Sequence, residues 1–274
     1  MTSEEQVAFF KTNGYLIVED LLSNNEVAQC ASEIARLHEL AAELEAKHDP
    51  AFKHFQREPF AEGADMDGLP VLRKIEETER FSETFKRLPA HPDLVTVLRT
   101  LLGNDLLLFR STLMLKPAFH GSVHALHQDS AYWPIKPPTM ITASIALTDS
   151  TKENGCLQVI PGSHEWGLLE WGQIWQKQNR DVAESVDLDT SKKISCPLRK
   201  GSALLFHSMV VHGSGPNRSS RPRHTALYAY LPSHVRLEVG PHDDQEMTFP
   251  VISGFDGKER VTLVSEAASG QTSA

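Results

Sequence analysis

From Asp105 to Leu231 the chain falls into short apolar, β-branched runs closed by glycine- or proline-bearing turns, and this pattern restricts its fold more than any other feature. The runs are Asp105–Lys116, Thr139–Thr148, Cys156–Ile160, Gly201–Val211 and Arg223–Leu231. Between them lie turn signals such as Glu153-Asn-Gly, Pro161-Gly-Ser, Arg199-Lys-Gly and Gly215-Pro-Asn. Val, Ile, Thr and aromatic side chains suit a pleated surface, and Gly, Pro and Asn supply the backbone angles of tight turns. Many short strands joined this way predict a mostly β protein, a β-sandwich or jelly roll.

Helical periodicity is confined to residues 1–103, so helices are expected to buttress one sheet. Residues 3–12 read as a short helix capped by Ser3, and Tyr15–Glu19 as a strand. Residues 24–48 carry Val27, Cys30, Ala31, Ile34, Leu37 and Leu40 at helical spacing. Residues 81–103 read as two shorter helices broken around Pro89 and Pro92, and 49–72 as loop. The length of 274 residues suits one domain, expected over residues 1–266, with its β core at about 105–250. Residues 267–274 read as a disordered tail. The polar stretch 165–193 holds Trp166, Trp171 and Trp175 and reads as an insertion, either packed on the sandwich or closing over a site.

A net charge of -9 argues against a partner built of phosphate backbone, and no apolar run reaches the roughly 20 residues of a membrane span. Cys30, Cys156 and Cys196 are odd in number and widely spaced, and the N-terminus has no signal-peptide pattern. Free thiols in the cytoplasm are therefore expected. Oligomeric state leaves no mark in the sequence.

His127-Gln-Asp129 places two metal-ligand types at i and i+2, which share one side of an extended strand. Alone the pattern is weak. With 13 histidines one such pair arises by chance, and His242-Asp-Asp244 is a second. The surroundings favour the first: His212 ends an apolar run, Ser214 follows two residues later, and Arg223 opens another run. Two histidines and one carboxylate on an octahedral iron leave positions open for co-substrate and oxygen. A guanidinium fork with a nearby hydroxyl suits the far carboxylate of a 2-oxo-dicarboxylic acid.

The segments His127-Gln-Asp-Ser-Ala-Tyr-Trp-Pro134, Ile145-Ala-Leu-Thr-Asp149, Glu153-Asn-Gly-Cys156, Pro161-Gly-Ser-His164 and His212-Gly-Ser-Gly-Pro-Asn217, with Arg223, resemble the phytanoyl-CoA dioxygenase family, which includes the ectoine hydroxylases. Phe9–Glu19 is similar to that family's opening helix and strand. The resemblance implies a double-stranded β-helix (a cupin-like jelly roll), Fe(II), 2-oxoglutarate and O2. It matches His127, Asp129 and His212 to the metal triad, and Arg223 and Ser214 to the grip on the distal carboxylate. Trp133 matches a pocket wall, and Ser144 falls at a co-substrate position that is often tryptophan. Lys116 reads equally as a polar contact at the site or as a solvated strand end.

His164 and Asn217 read as turn or core hydrogen-bonding residues, His207 as packed, and His120 and His124 as loop residues, exposed or facing substrate. The reaction implied is hydroxylation of a C–H bond of a small molecule, with succinate and CO2 released. Desaturation and an acyl-CoA substrate are variants of the same chemistry, but no cluster of Arg or Lys marks a CoA site. A halogenase would replace Asp129 by a small residue. A zinc hydrolase would need a general base that the sequence does not show, and a non-catalytic jelly roll would have no use for Arg223.

Overall fold

The structure, a computed structural model, describes residues 3–61, 65–133, 135–169, 189–238 and 246–265. Four α-helices precede the main run of strands: α1 (Glu4–Asn13), α2 (Asn24–Ala46), α3 (Glu83–Arg87) and α4 (Pro92–Leu102). Ser3 and Ser23 each open a capping box, their hydroxyls accepting from the Gln6 and Glu26 amides. Gly14 ends α1 in the left-handed conformation, at φ 75°.

The larger sheet contains β1 (Tyr15–Val18), β2 (Phe55–Arg57), β3 (Leu72–Glu76), β4 (Leu106–Lys116), β6 (Ile141–Ala146), β9 (Ala203–His207), β11 (Arg223–Pro232), β12 (Glu246–Ser253) and β13 (Arg260–Val264). The smaller holds β5 (His124–His127), β7 (Leu157–Val159), β8 (Ile194–Ser195) and β10 (His212–Ser214). The large sheet runs β1-β9-β6-β11-β4-β12-β13, with β3 also paired to β4 and β2 to β3; the small sheet runs β8-β7-β10-β5. All these pairings are antiparallel, and the two sheets form the jelly roll.

Alternation along the strands splits the large sheet into two unlike faces. Leu113, Leu115, Ile141, Ala143, Ile145, Ala203, Leu205, Ala226, Tyr228 and Tyr230 join one core with Cys30, Ile34 and Leu37 of α2 and Leu94 and Leu98 of α4. The two tyrosines are fully buried, and their hydroxyls donate to Phe85 O at 3.2 Å and Pro89 O at 2.9 Å. This ties the helical layer to the sheet.

Three sequence expectations change. Residues 49–72 are not all loop: Phe55–Arg57 pairs with β3, a strand too short for alternation to reveal. The sheet continues past residue 250 through the β12–β13 hairpin, where Pro250 masks the strand signal. The run Gly201–Val211 is not one strand ending at His212. After His207 the chain turns, Val210 N donating to His207 O at 2.8 Å, and His212 opens a strand of the other sheet.

Candidate active site

The inner face of the large sheet is polar. In register across β4, β11 and β6 lie the rows Arg110–Ala229–Thr142 and Thr112–Leu227–Ser144, and Lys116 stands opposite Arg223 at the far end. On the facing sheet, His212 is in register with His127. Between these walls lies a cavity of about 250 Å³ lined by His127, Asp129, Trp133, Ser144, His212, Ser214 and Arg223, among others.

Gln128 is extended at φ -113°, ψ 130°, so alternation carries past the end of β5 and Asp129 faces the same way as His127. Gln128 points the other way. It is buried, donates to Met209 O at 2.8 Å and Gly167 O at 3.0 Å, and accepts from Leu169 N at 2.9 Å. The bonds it makes fix the backbone between the two site residues.

His127 Nε2 and His212 Nε2 stand 3.5 and 3.7 Å from Asp129 Oδ1, and one ligand atom from each of the three side chains falls within 4.8 Å of the others. Each Nδ1 is held from behind, His127 by Ala125 O at 2.8 Å and His212 by Val210 O at 2.9 Å. A proton on Nδ1 leaves the Nε2 lone pair aimed at the shared point. Burial, then the neighbouring His127, pushes His212 down to about 4, so its ring is neutral near pH 7. Asp129 Oδ2 accepts from Thr142 Oγ1 at 2.8 Å, which leaves Oδ1 for the centre. Burial raises this carboxyl, but His212, His127 and Thr142 outweigh burial and hold it below its ordinary value, as an anion. The donor set, its tautomers and its free atoms fit a divalent metal ion.

Arg223 is buried, and burial pushes its guanidinium down to about 10, which leaves it charged at neutral pH. One terminal nitrogen donates to Gly155 O, while Nε has no partner among the described residues. Ser144 Oγ is likewise buried with no partner among the described residues. Buried polar atoms are normally hydrogen-bonded, so two orphans lining one cavity suit an anionic, multiply accepting ligand. Arg218 and Arg221, in the turn before Arg223, are exposed.

Lys116 is neither a solvated strand end nor a lining residue of the cavity. It is buried, and its Nζ donates to Ser122 O at 2.7 Å and to Gly215 O. Burial, then Arg223, lowers it to about 6. Trp133 lines the cavity and packs on Phe109 with centroids 5.0 Å apart. His124 also lines it, its Nδ1 3.2 Å from an Arg73 nitrogen; His120 is exposed. His164 bonds Lys11 O at 3.0 Å, and Asn217 donates to Lys116 O and Arg221 O at 3.0 and 2.7 Å, both structural roles. His242-Asp-Asp244 and most of 165–193, including Trp171 and Trp175, lie outside the described residues.

Sequence reasoning missed Thr142, Lys74 and Arg110, all lining the cavity. The only signal for Thr142 was its alternation with Ser144 inside an otherwise apolar run. Arg110 and Lys74 sit on different strands, so only the pairing register brings them together.

Fold and site together define a jelly-roll protein with the two-histidine, one-carboxylate constellation that suits iron(II) with open coordination positions. The chain belongs to the phytanoyl-CoA dioxygenase family, whose model matches residues 10–225. It is 28% identical to the peroxisomal phytanoyl-CoA dioxygenase of Rattus norvegicus over 226 residues, 79% of this chain and 64% of that protein. To the ectoine dioxygenase of Sphingopyxis alaskensis it is 31% identical over 258 residues, 86% of this chain and 78% of that one. The crystal structure of EctD from S. alaskensis with 2-oxoglutarate and 5-hydroxyectoine aligns with a TM-score of 0.66 at 27% identity, covering 86% of this chain and 78% of that one. The non-heme monooxygenase ThoJ shares the fold, with a TM-score of 0.73 at 22% identity, covering 92% of this chain and 84% of that one.

Proposed function

We propose that the protein is an iron(II)- and 2-oxoglutarate-dependent dioxygenase that hydroxylates a C–H bond of a small-molecule metabolite, with succinate and CO2 as co-products. The observation that carries this reading is the convergence of His127 Nε2, His212 Nε2 and Asp129 Oδ1 on one point while every other polar atom of the triad is bonded from behind. Family membership and the 2-oxoglutarate-bound relative support it.

His127, Asp129 and His212 are the proposed metal ligands, and iron(II) there supplies, with 2-oxoglutarate and O2, the oxidation of the substrate carbon. Arg223 orients the distal carboxylate of 2-oxoglutarate through its unsatisfied Nε, with Ser214 and Ser144 as hydroxyl partners. Thr142 holds Asp129 in one rotamer with one oxygen free. Trp133 and Phe206 close the walls with apolar surface and exclude water. Lys116 supports the Arg223 end by fixing the Ser122 and Gly215 carbonyls.

The reading places the activity in one domain over residues 1–266. Three buried free cysteines support a reducing compartment, the cytoplasm. Among the described residues no helix is long and apolar enough to cross a membrane. The test is anaerobic iron loading followed by oxygen with 2-oxoglutarate. Stoichiometric iron and succinate release in the wild type, both lost in Asp129→Ala, are expected; succinate release without iron would contradict the reading.

A further inference from the structure

Two further cations line the cavity. Lys74 on β3 and Arg110 on β4 both line the cavity, Arg110 with 39% of its side chain exposed, and neither is taken up by the metal triad or the 2-oxoglutarate end. Their partner is Glu76: its Oε1 accepts from Lys74 Nζ at 2.5 Å and from Arg110 at 2.8 Å. Glu76 Oε2 accepts from Gln56 at 3.2 Å, and Arg110 Nε donates to Thr112 at 3.2 Å. One carboxylate oxygen is thus shared by two positive groups. Lys74 and Arg110 carry two positive charges against the single charge of Glu76, so the cluster keeps a net positive charge at the cavity wall.

The register sets Arg110 apart from Arg223, while Lys74, opposite Met114, lies nearer and is joined to Arg110 through Glu76. Arg223 and Ala229, the residue opposite Arg110, are six positions apart on β11, about 20 Å along an extended strand. The same row carries Thr142, the partner of Asp129, so Arg110 lies level with the metal site and away from Arg223. On that side the walls are aromatic: Trp133 lines the cavity and stacks obliquely on Phe109, which itself lies 5.7 Å from Phe249.

We infer that Lys74 and Arg110 determine specificity by taking a carboxylate of the prime substrate, whose apolar body lies against Trp133. The inference rests on the dioxygenase reading for the identity of the second ligand, but not for the binding itself. A carboxylate is favoured because the group these cations already hold is one. An incoming acid takes the place of Glu76 in a geometry the side chains have adopted, and a charge-assisted bond to each cation replaces a shared one. A neutral amide offers no charge for the surplus cation and forms only the weaker, uncharged-acceptor bond.

The test is calorimetric. The protein carries Zn(II) in place of iron and saturating 2-oxoglutarate, so the Arg223 end is filled and no turnover occurs. Phenylacetate, phenylacetamide and phenyl phosphate are the probes. Phenylacetate is expected to bind about tenfold or more tightly than phenylacetamide. Arg110→Gln and Lys74→Met should each weaken the acid about tenfold, leave the amide unchanged, and leave 2-oxoglutarate affinity intact. Glu76→Gln should tighten the acid, a gain that a purely structural salt bridge does not produce. Equal binding of acid and amide, no binding of the acid, or an unchanged acid affinity in Glu76→Gln overturns the inference. Tighter binding of phenyl phosphate overturns the carboxylate assignment. Failure of the dioxygenase reading shows separately, as absence of 2-oxoglutarate binding in the same samples.

Discussion

The two faces of the large sheet are built from the same strands and do opposite things. On β11, Ala226, Tyr228 and Tyr230 pack on helices, while Arg223, Leu227 and Ala229 face the cavity. On β6, Ile141, Ala143 and Ile145 are core and Thr142 and Ser144 are site. The outer face satisfies every demand of folding: apolar side chains are buried, and the two tyrosine hydroxyls have carbonyl partners. The inner face breaks those rules. It buries Lys116, Arg223, Thr142 and Ser144 and leaves Arg223 Nε and Ser144 Oγ without partners among the described residues. A strand that stores unsatisfied polar groups on one side depends on dense packing on the other, because an unbonded buried polar group costs about 1–3 kcal/mol.

If this division holds, substitutions on one face change stability and those on the other change ligand binding. The largest effect is expected at Asp129. Asp129→Ala should abolish iron binding and turnover, measured by metal content and succinate release, while His242→Ala retains both. If His242→Ala is the variant that loses iron, the metal belongs to the other His-x-Asp. Next comes the outer face. Leu113 is fully buried, and Leu113→Ala should lower unfolding free energy by about 2–5 kcal/mol in denaturant titration, with 2-oxoglutarate affinity of the folded fraction unchanged. A parallel loss of affinity would show that the faces are coupled.

On the inner face, Arg223→Ala should raise the apparent constant for 2-oxoglutarate by one or more orders of magnitude, equivalent to about 2–5 kcal/mol of lost pairing, with metal binding intact. Arg223→Lys should rescue only in part, because an ammonium lacks the planar fork. Arg218→Ala and Arg221→Ala, both exposed, should leave the constant unchanged. Thr142→Val removes the bond to Asp129 Oδ2 and should weaken iron affinity by about tenfold without unfolding the protein. The smallest effect is expected at Tyr230→Phe, about 1 kcal/mol of stability and no change in either ligand.

The outer face was largely legible in the sequence, because burial against helices leaves a regular record: period two in the strands, and helical spacing at Val27, Cys30, Ile34 and Leu37. The inner face was legible only where chemistry narrows residue type. His127, Asp129, His212 and Arg223 stood out by order and resemblance. Thr142 did not, since a threonine in a strand is unremarkable until its hydroxyl is seen on a carboxylate. Lys74 and Arg110 stayed hidden because strand pairing brings them together, and pairing leaves no local signature. The sequence alone places His212 at the end of a long strand, since nothing in an apolar run marks where a chain passes from one sheet to the next.

On the reading proposed above, a metal and a dicarboxylate share one site and are held jointly by groups from both sheets. Calorimetric titration of 2-oxoglutarate into the protein, with and without Mn(II) as a redox-silent stand-in for iron, tests it most directly. Tight binding is predicted only with metal present, and it should be lost both in Asp129→Ala and in Arg223→Ala. Binding of equal strength without metal, or binding that survives both substitutions, would contradict the account.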